Sequence, residues 1–193
     1  KSTDIDAAFA SLKSDEVIVE AIVPFRHEIS VVVARDVFGK TECYDVVLNE
    51  HKNHILSKTT APAPLPAPLL AKAKKLGKKV ADEVGLVGVL ALEMFVTKDG
   101  KILANEIAPR THNSGHWTID ACAVSQFENH VRTVCGLTVG SAKRHSDAVM
   151  LNLIGDDIAL VNTYIGKANA CIHLYGKPDV RAGRKMGHIT LLK

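Results

Sequence analysis

Four prolines at alternating positions, Pro62, Pro64, Pro66 and Pro68, constrain this chain more than any other feature. Proline lacks the amide N–H that a helix interior or a central strand needs, and its ring fixes φ. The run is therefore read as an extended connector that separates two kinds of sequence. Before it lie EVIVEAIV (16–23), HEISVVVARD (27–36) and TECYDVVLN (41–49), rich in valine and isoleucine and read as strands. Phe38-Gly39-Lys40 supplies a turn between the second and third, and NEHKNHILSKTT reads as a polar stretch. After it, Leu69, Ala73, Leu76, Val80 and Val84 recur at helical spacing, with Gly85 as the stop.

Two further strands are predicted, Val87 to Thr97 and Lys101 to Ala108, joined at Asp99-Gly100. A second helix is marked by Ile119, Ala123, Phe127, Val131 and Val134 and ended by Gly136. The rest, 141–193, carries strand candidates AVMLNLIG, ACIHLY and GHITLL and reads as a small, separate β-rich unit after a first unit of 1–140. The class is α+β.

Composition narrows the field. With 193 residues, 47% hydrophobic and 23% charged, the chain suits one sizeable globular domain or one plus an appendage. A net charge of +3 is too small to argue for nucleic acid. No apolar run approaches the ~18 residues of a membrane span, and the first residues lack the apolar stretch of a signal peptide. Cys43, Cys122, Cys135 and Cys171 form no CxxC pair and are read as buried, reduced thiols of a cytoplasmic protein. The chain opens on Lys1 rather than methionine, so upstream sequence is expected.

Asp-Gly favours a two-residue hairpin turn. Counting outward from it sets Lys98 against Lys101, Thr97 against Ile102 and Glu93 against Glu106, with Leu92, Met94, Val96, Leu103 and Ile107 on the core face. Carboxylates opposed at ~5 Å repel by roughly 3 kcal/mol at an effective dielectric near 20. Such a pair persists when a cation bridges it or one acid stays protonated, and magnesium with nucleotide phosphates suits it. A solvated face neutralised by nearby lysines is the alternative, and the hairpin alone does not choose. His112 and His116 lie four apart, but Pro109 and Gly115 make that stretch a loop and no HExxH glutamate is present, which disfavours zinc. Lys177, Arg181, Arg184 and Lys185 pack four cations into nine residues, opposed by Asp179. A solvated loop or a nucleic-acid patch would look similar, though no aromatic residues interleave.

NEIAPRTHNSGHW, from Asn105 to Trp117, resembles the signature of the carboxyaminoimidazole ribonucleotide synthases, ATP-grasp ligases that use bicarbonate. VEAIVPFRHEISVVVAR, NEHKNHIL, the proline connector, DACAVSQFENH and GKPDVRAGRKMGH extend the likeness over nearly the whole chain. The resemblance implies an ATP-grasp domain portion with a small C-terminal β-rich unit. It implies that Glu20, Ala21, Ile22 and Val23 hold adenine, Glu28 the ribose hydroxyls, His51 the nucleotide, and Asn105 with Glu106 the triphosphate. Glu93 and Glu106 would be magnesium ligands. Lys177, Arg181, Arg184 and Lys185 would bind a ribonucleotide phosphate, and Arg110 and His112 would meet bicarbonate or the transferred carboxyl. Expected cofactors are ATP and magnesium. Expected partners are aminoimidazole ribonucleotide, bicarbonate and a second subunit in a homodimer, with neither nucleic acid nor membrane. Ala108 stands where many ATP-grasp ligases carry an asparagine, which argues against a biotin carboxylase. The family's Rossmann-like first domain and glycine-rich phosphate loop are not in these residues, so a longer protein is expected. A related formate-using ligase and a non-catalytic nucleotide-binding fragment are the rival readings.

Overall fold

The structure, a computed structural model, describes residues 4–12, 14 and 16–193, with the side chain of Asp6 left aside. A short helix α1 (Ile5–Leu12) precedes strands β1 (Phe25–Arg35), β2 (Thr41–Cys43), β3 (Val47–Lys52) and β4 (Ile55–Ala61). Helix α2 (Ala67–Glu83) follows the prolines, then β5 (Gly88–Thr97) and β6 (Ile102–Ala108). A 3-10 turn (Asn113–Gly115) leads into helices α3 (Thr118–Ala121) and α4 (Gln126–Val134). Strand β7 (Ala148–Ile154), the helix α5 (Val161–Tyr164) and strands β8 (Ala170–Leu174) and β9 (Lys185–Leu192) complete the order. No helix among the described residues is long and apolar enough to cross a membrane.

Among the described residues all the strands join one antiparallel nine-stranded sheet, in the order β6-β5-β1-β3-β4-β7-β9-β8, with β2 also on β1. The terminal strands were expected to stand apart. They are present, but β7 pairs with β4, so the β-rich unit continues the first sheet. Strand β1 is buried on both faces, which explains its unbroken apolar run. Ile29, Val31 and Val33 face α2, whose Ala73 and Ala81 are fully buried. Val32 and Ala34 face Trp117, Tyr44 and Ala121 on the other side.

The proline run connects β4 to α2 as expected but is bent rather than extended, with Leu65 N–H turning back to the Ala63 carbonyl (2.8 Å), and its last member opens the helix. Pro66 is the N-cap of α2 and Pro68 sits in the first turn, where a missing N–H costs nothing. Several expectations are corrected. Residues 16–23 form no strand; all but the half-buried Val23 are exposed, and Pro24 behind them removes an amide donor. The expected strand 41–49 is split at Tyr44–Val46, where Asp45 turns out to meet Lys74 (2.6 Å) and Arg144 (2.7 Å). The stretch read only as polar is a hairpin of β3 and β4, turned at Asn53 (φ 50°) and His54 (φ 62°). Of the four cysteines, all free, Cys122 is buried, Cys43 and Cys171 are half-buried and Cys135 is exposed at the end of α4.

Helix α4 reverses the expected face. Phe127, Val131 and Val134 lie outward, while Gln126, Asn129 and Thr133 are buried. Polar residues face inward because they satisfy loop backbone. Asn129 donates to Tyr44 Oη (2.8 Å) and the Gly140 carbonyl (3.1 Å) and accepts from Gly140 N–H (2.8 Å). The single helix expected from Ile119 onward is broken at Cys122, which is extended and bridges to Arg144.

Candidate active site

The carboxylate hairpin forms, but by another route. Thr97 N–H donates to the Lys101 carbonyl, so the loop Lys98-Asp99-Gly100 has three residues, with Gly100 at φ 77°. Val96 therefore pairs with Ile102, one position away from the register counted on a two-residue turn. A bulge between Glu93 and Met94, absorbing Asn105, restores Glu93 opposite Glu106. The bulge also lets consecutive residues Asn105 and Glu106 line the same cleft. Leu92, Met94 and Val96 are buried as expected, whereas Leu103, 41% exposed, pairs with Phe95 on the opposite face because of the shifted register, Ile102 taking its place on the core side, and Ile107 on the edge strand β6 is 46% exposed.

The cleft encloses about 800 Å³. Glu28 of β1, His51 of β3, the β3–β4 turn, Glu93 of β5, Asn105 and Glu106 of β6, His112 with Asn113, and Lys185 of β9 line it. Phe25 closes one side, stacked on Phe95 with ring centroids 4.6 Å apart. Glu28 Oε2 lies 2.9 Å from His51 Nδ1, so the two residues expected at ribose and nucleotide form one polar wall. Burial and then the facing Glu106 push the Glu93 carboxyl above its ordinary value, against the pull of His51 and Lys185. Two facing carboxylates beside an amide are a hard-oxygen donor set that fits magnesium.

His112 Nε2 lies 3.1 Å from Glu93 Oε1. The separation is that of an ion pair, yet burial, then Arg110, Lys185 and His51, pull the imidazole down to about 4, so it is neutral at pH 7. The backbone of this loop is clamped by Gln126, which accepts from His112 N–H (2.9 Å) and donates to the His112 carbonyl (2.6 Å).

The remaining expected residues are dispersed. Glu20, Ala21, Ile22 and Val23 are not among the residues that line the cleft, and Ile22 is 96% exposed. Arg110 is exposed and donates to the Thr111 carbonyl at 3.0 Å. Of the four cations, Lys185 lines the cleft; Lys177 donates to the Lys185 carbonyl (2.7 Å), Arg181 pairs with Asp179 (2.9 Å), and Arg184 donates to the Asp179 carbonyl (3.1 Å). Ser30, Asn49, Asn113 and Ser114, buried behind or beside His112, were not anticipated; polar residues of this kind carry no spacing signal.

His116 belongs to a second cluster. Tyr175 Oη joins His116 Nδ1 (3.0 Å) to His188 Nδ1 (2.9 Å), and His173 Nε2 meets both oxygens of Asp120 at 3.0 Å. Ligand atoms of Asp120, His173 and His188 lie within 4.8 Å of one another. However, the His173 and His188 rings are stacked at 12°, 4.5 Å between centroids. Imidazole lone pairs lie in the ring plane, and two nearly parallel planes share no nearby point for one ion. The cluster ties β8 and β9 to α3 and its preceding loop.

Comparison with known proteins agrees with this architecture. Residues 1–127 match the ATP-grasp domain, and residues 148–193 match the phosphoribosylaminoimidazole carboxylase C-terminal domain. The N5-carboxyaminoimidazole ribonucleotide synthase of Brucella melitensis is 50% identical over 186 residues, covering 96% of this chain and 51% of that protein. Its Bacillus subtilis counterpart is 43% identical over 194 residues, covering 100% and 51%. The chain thus spans about half the length of the curated relatives it matches. A crystal structure of an N5-carboxyaminoimidazole ribonucleotide synthetase as its ADP complex superposes with a TM-score of 0.94 at 43% identity, over 100% of this chain and 52% of that one. The Aspergillus clavatus enzyme with ADP and 5-aminoimidazole ribonucleotide gives 0.93 at 34% identity, over 98% and 52%. With residues 1–127 of 193 matched, the chain belongs to the ATP-grasp family and is homologous to the N5-carboxyaminoimidazole ribonucleotide synthases.

Proposed function

We propose that the complete protein carboxylates 5-aminoimidazole ribonucleotide with bicarbonate and ATP, giving N5-carboxyaminoimidazole ribonucleotide, ADP and phosphate through carboxyphosphate. The observation that carries this reading is the facing pair Glu93 and Glu106, set in a cleft that also gathers Glu28, His51, Asn105 and Lys185. Its likeness to synthases of that name supports the choice of substrates.

In this reading Glu28 accepts hydrogen bonds from both ribose hydroxyls, as a carboxylate can, with His51 held beside it. Asn105 and Glu106 meet the triphosphate. Glu93 and Glu106 would hold magnesium, which when bound neutralises phosphate charge. The neutral His112 presents an N–H rather than a positive charge, and with Arg110 it meets the carboxyl being transferred. Lys177, Arg181, Arg184 and Lys185 take the ribonucleotide phosphate, which guanidinium forks and lysine point charges both suit. The protein's contribution is charge neutralisation and alignment. ATP hydrolysis by the complete protein, with and without aminoimidazole ribonucleotide and bicarbonate, is the test. Hydrolysis that depends on both is expected; turnover indifferent to either would overturn the assignment.

A further inference from the structure

Behind His112 runs a line of buried hydrogen bonds that none of the roles above uses. Thr59 Oγ1 lies 3.1 Å from Asn49 Oδ1, and Asn49 Nδ2 is 2.9 Å from Ser30 Oγ. Ser30 Oγ lies 2.8 Å from Ser114 Oγ, which lies 2.9 Å from His112 Nδ1. Ser30, Thr59 and Ser114 have no exposed surface and Asn49 has 5%, so water does not compete for these groups.

The chemistry of the last link fixes the direction. Ser114 backbone N–H also points at His112 Nδ1, at 3.3 Å. A backbone N–H can only donate, so Nδ1 must be an acceptor. The reversed chain, with every hydroxyl turned round and the amide flipped, would end with an Nδ1–H facing that N–H. Read forward, each group has one task. Thr59 donates to Asn49, the amide nitrogen donates to Ser30, Ser30 donates to Ser114, and Ser114 donates to the imidazole. With Nδ1 an acceptor, the single ring proton is on Nε2, 3.1 Å from Glu93 Oε1.

We infer that Thr59, Asn49, Ser30 and Ser114 are positioning residues whose one-way hydrogen-bond chain holds His112 in the Nε2–H tautomer, as a fixed donor beside Glu93. The donor occupies one oxygen of Glu93 and leaves the other free to face Glu106. His112 cannot then accept a proton at Nε2 or offer a lone pair to a cation there. The catalytic consequence rests on the carboxylation reading above; the tautomer does not.

The test labels the histidines of the complete protein with 15N and reads long-range 1H–15N couplings, with His112 assigned from its loss in His112→Gln. The parent should show a single tautomer, with an acceptor-type Nδ1 and a protonated Nε2. Ser114→Ala removes a donor, and the isosteric Asn49→Asp turns the donor to Ser30 into an acceptor. Both should populate the Nδ1–H form, and turnover should fall about tenfold with little change in the KM for ATP, as loss of an interaction made in the transition state does. A parent protonated at Nδ1 overturns the inference, and so do folded variants that keep the parent's tautomer. If a variant does not fold, the parent's own tautomer still decides. Because the tautomer is read without turnover, an inactive protein with the expected signature would sink the carboxylation reading and leave the chain standing.

Discussion

Replacing Gln126 by glutamate changes one atom and places a carboxylate where the clamp on the His112 loop needs an amide. Gln126 is fully buried; its Nε2 donates to the His112 carbonyl at 2.6 Å and its Oε1 accepts from His112 N–H at 2.9 Å. An ionised glutamate would keep the second bond and set a charged oxygen against a carbonyl in the first. A protonated one restores both, because its O–H can donate. The folded variant therefore holds the introduced carboxyl protonated, above the ~4.3 of the unfolded chain. With a folded pKa at or above 7, the loss at pH 7 is 1.36 × (7 − 4.3), or about 3.7 kcal/mol. A group whose folded pKa is raised contributes stability below the unfolded pKa and loses it as pH rises. The deficit of Gln126→Glu should thus be near zero around pH 4.3 and grow by about 1.4 kcal/mol per unit above it. Urea unfolding of parent and variant in matched buffers measures that difference. A deficit that stays flat from pH 5 to 7 would refute the claim that the amide donor holds the loop.

Glu106→Gln in the complete protein should lower carboxylation by about a hundredfold or more without lowering the urea midpoint, since it removes a metal-neutralising charge, and with it a repulsion of Glu93, without changing size; steady-state turnover against magnesium concentration checks it, and parental turnover with parental magnesium dependence would contradict it. Arg184→Ala should raise the KM for aminoimidazole ribonucleotide about ten- to a hundredfold and that for ATP little, because charge-assisted bonds contribute ~1.5–3 kcal/mol each; the reverse pattern would assign the basic group to the triphosphate. Burial pulls His116 to about 4 and His188 to about 3 from the usual 6.5, so the stability they contribute is present above about 6.5 and lost as pH falls through these values. His188→Gln should accordingly flatten the fall in urea midpoint between pH 6.5 and 4, and an unchanged slope would contradict the burial argument.

The carboxylate pair was legible in sequence because alternation and an Asp-Gly turn are strong local signals. Even so, the count reached Glu93 and Glu106 through two departures that cancel: a loop one residue longer, and a bulge that consumes Asn105. The β3–β4 hairpin was missed because Asn53-His54 lacks the usual glycine, although asparagine tolerates positive φ. Helix α4 was legible as a helix and misread as a face. Apolar periodicity assumes a greasy interior, whereas Gln126 and Asn129 are buried to satisfy loop backbone. Ser30, Asn49 and Ser114 carry no periodic signature, since their partners lie 19 and 84 positions away along the chain. Lys185 was expected among cations and stands among acids, a consequence of β9 joining the first sheet.

That single sheet also sets a timetable. Glu28, Glu93 and Glu106 come from strands made early, and Lys185, which with His51 offsets the charge of Glu93, comes from β9. Chains emerge from the ribosome N-terminus first. A nascent chain can close the β1–β5–β6 ladder while the acids still lack that cation, and the cleft acquires its balance of charge when β9 zips against β7. Pairings this distant in sequence close slowly because loop entropy is lost before contacts form. Until that strand docks, the half-built cleft is an acidic groove with no amine in it.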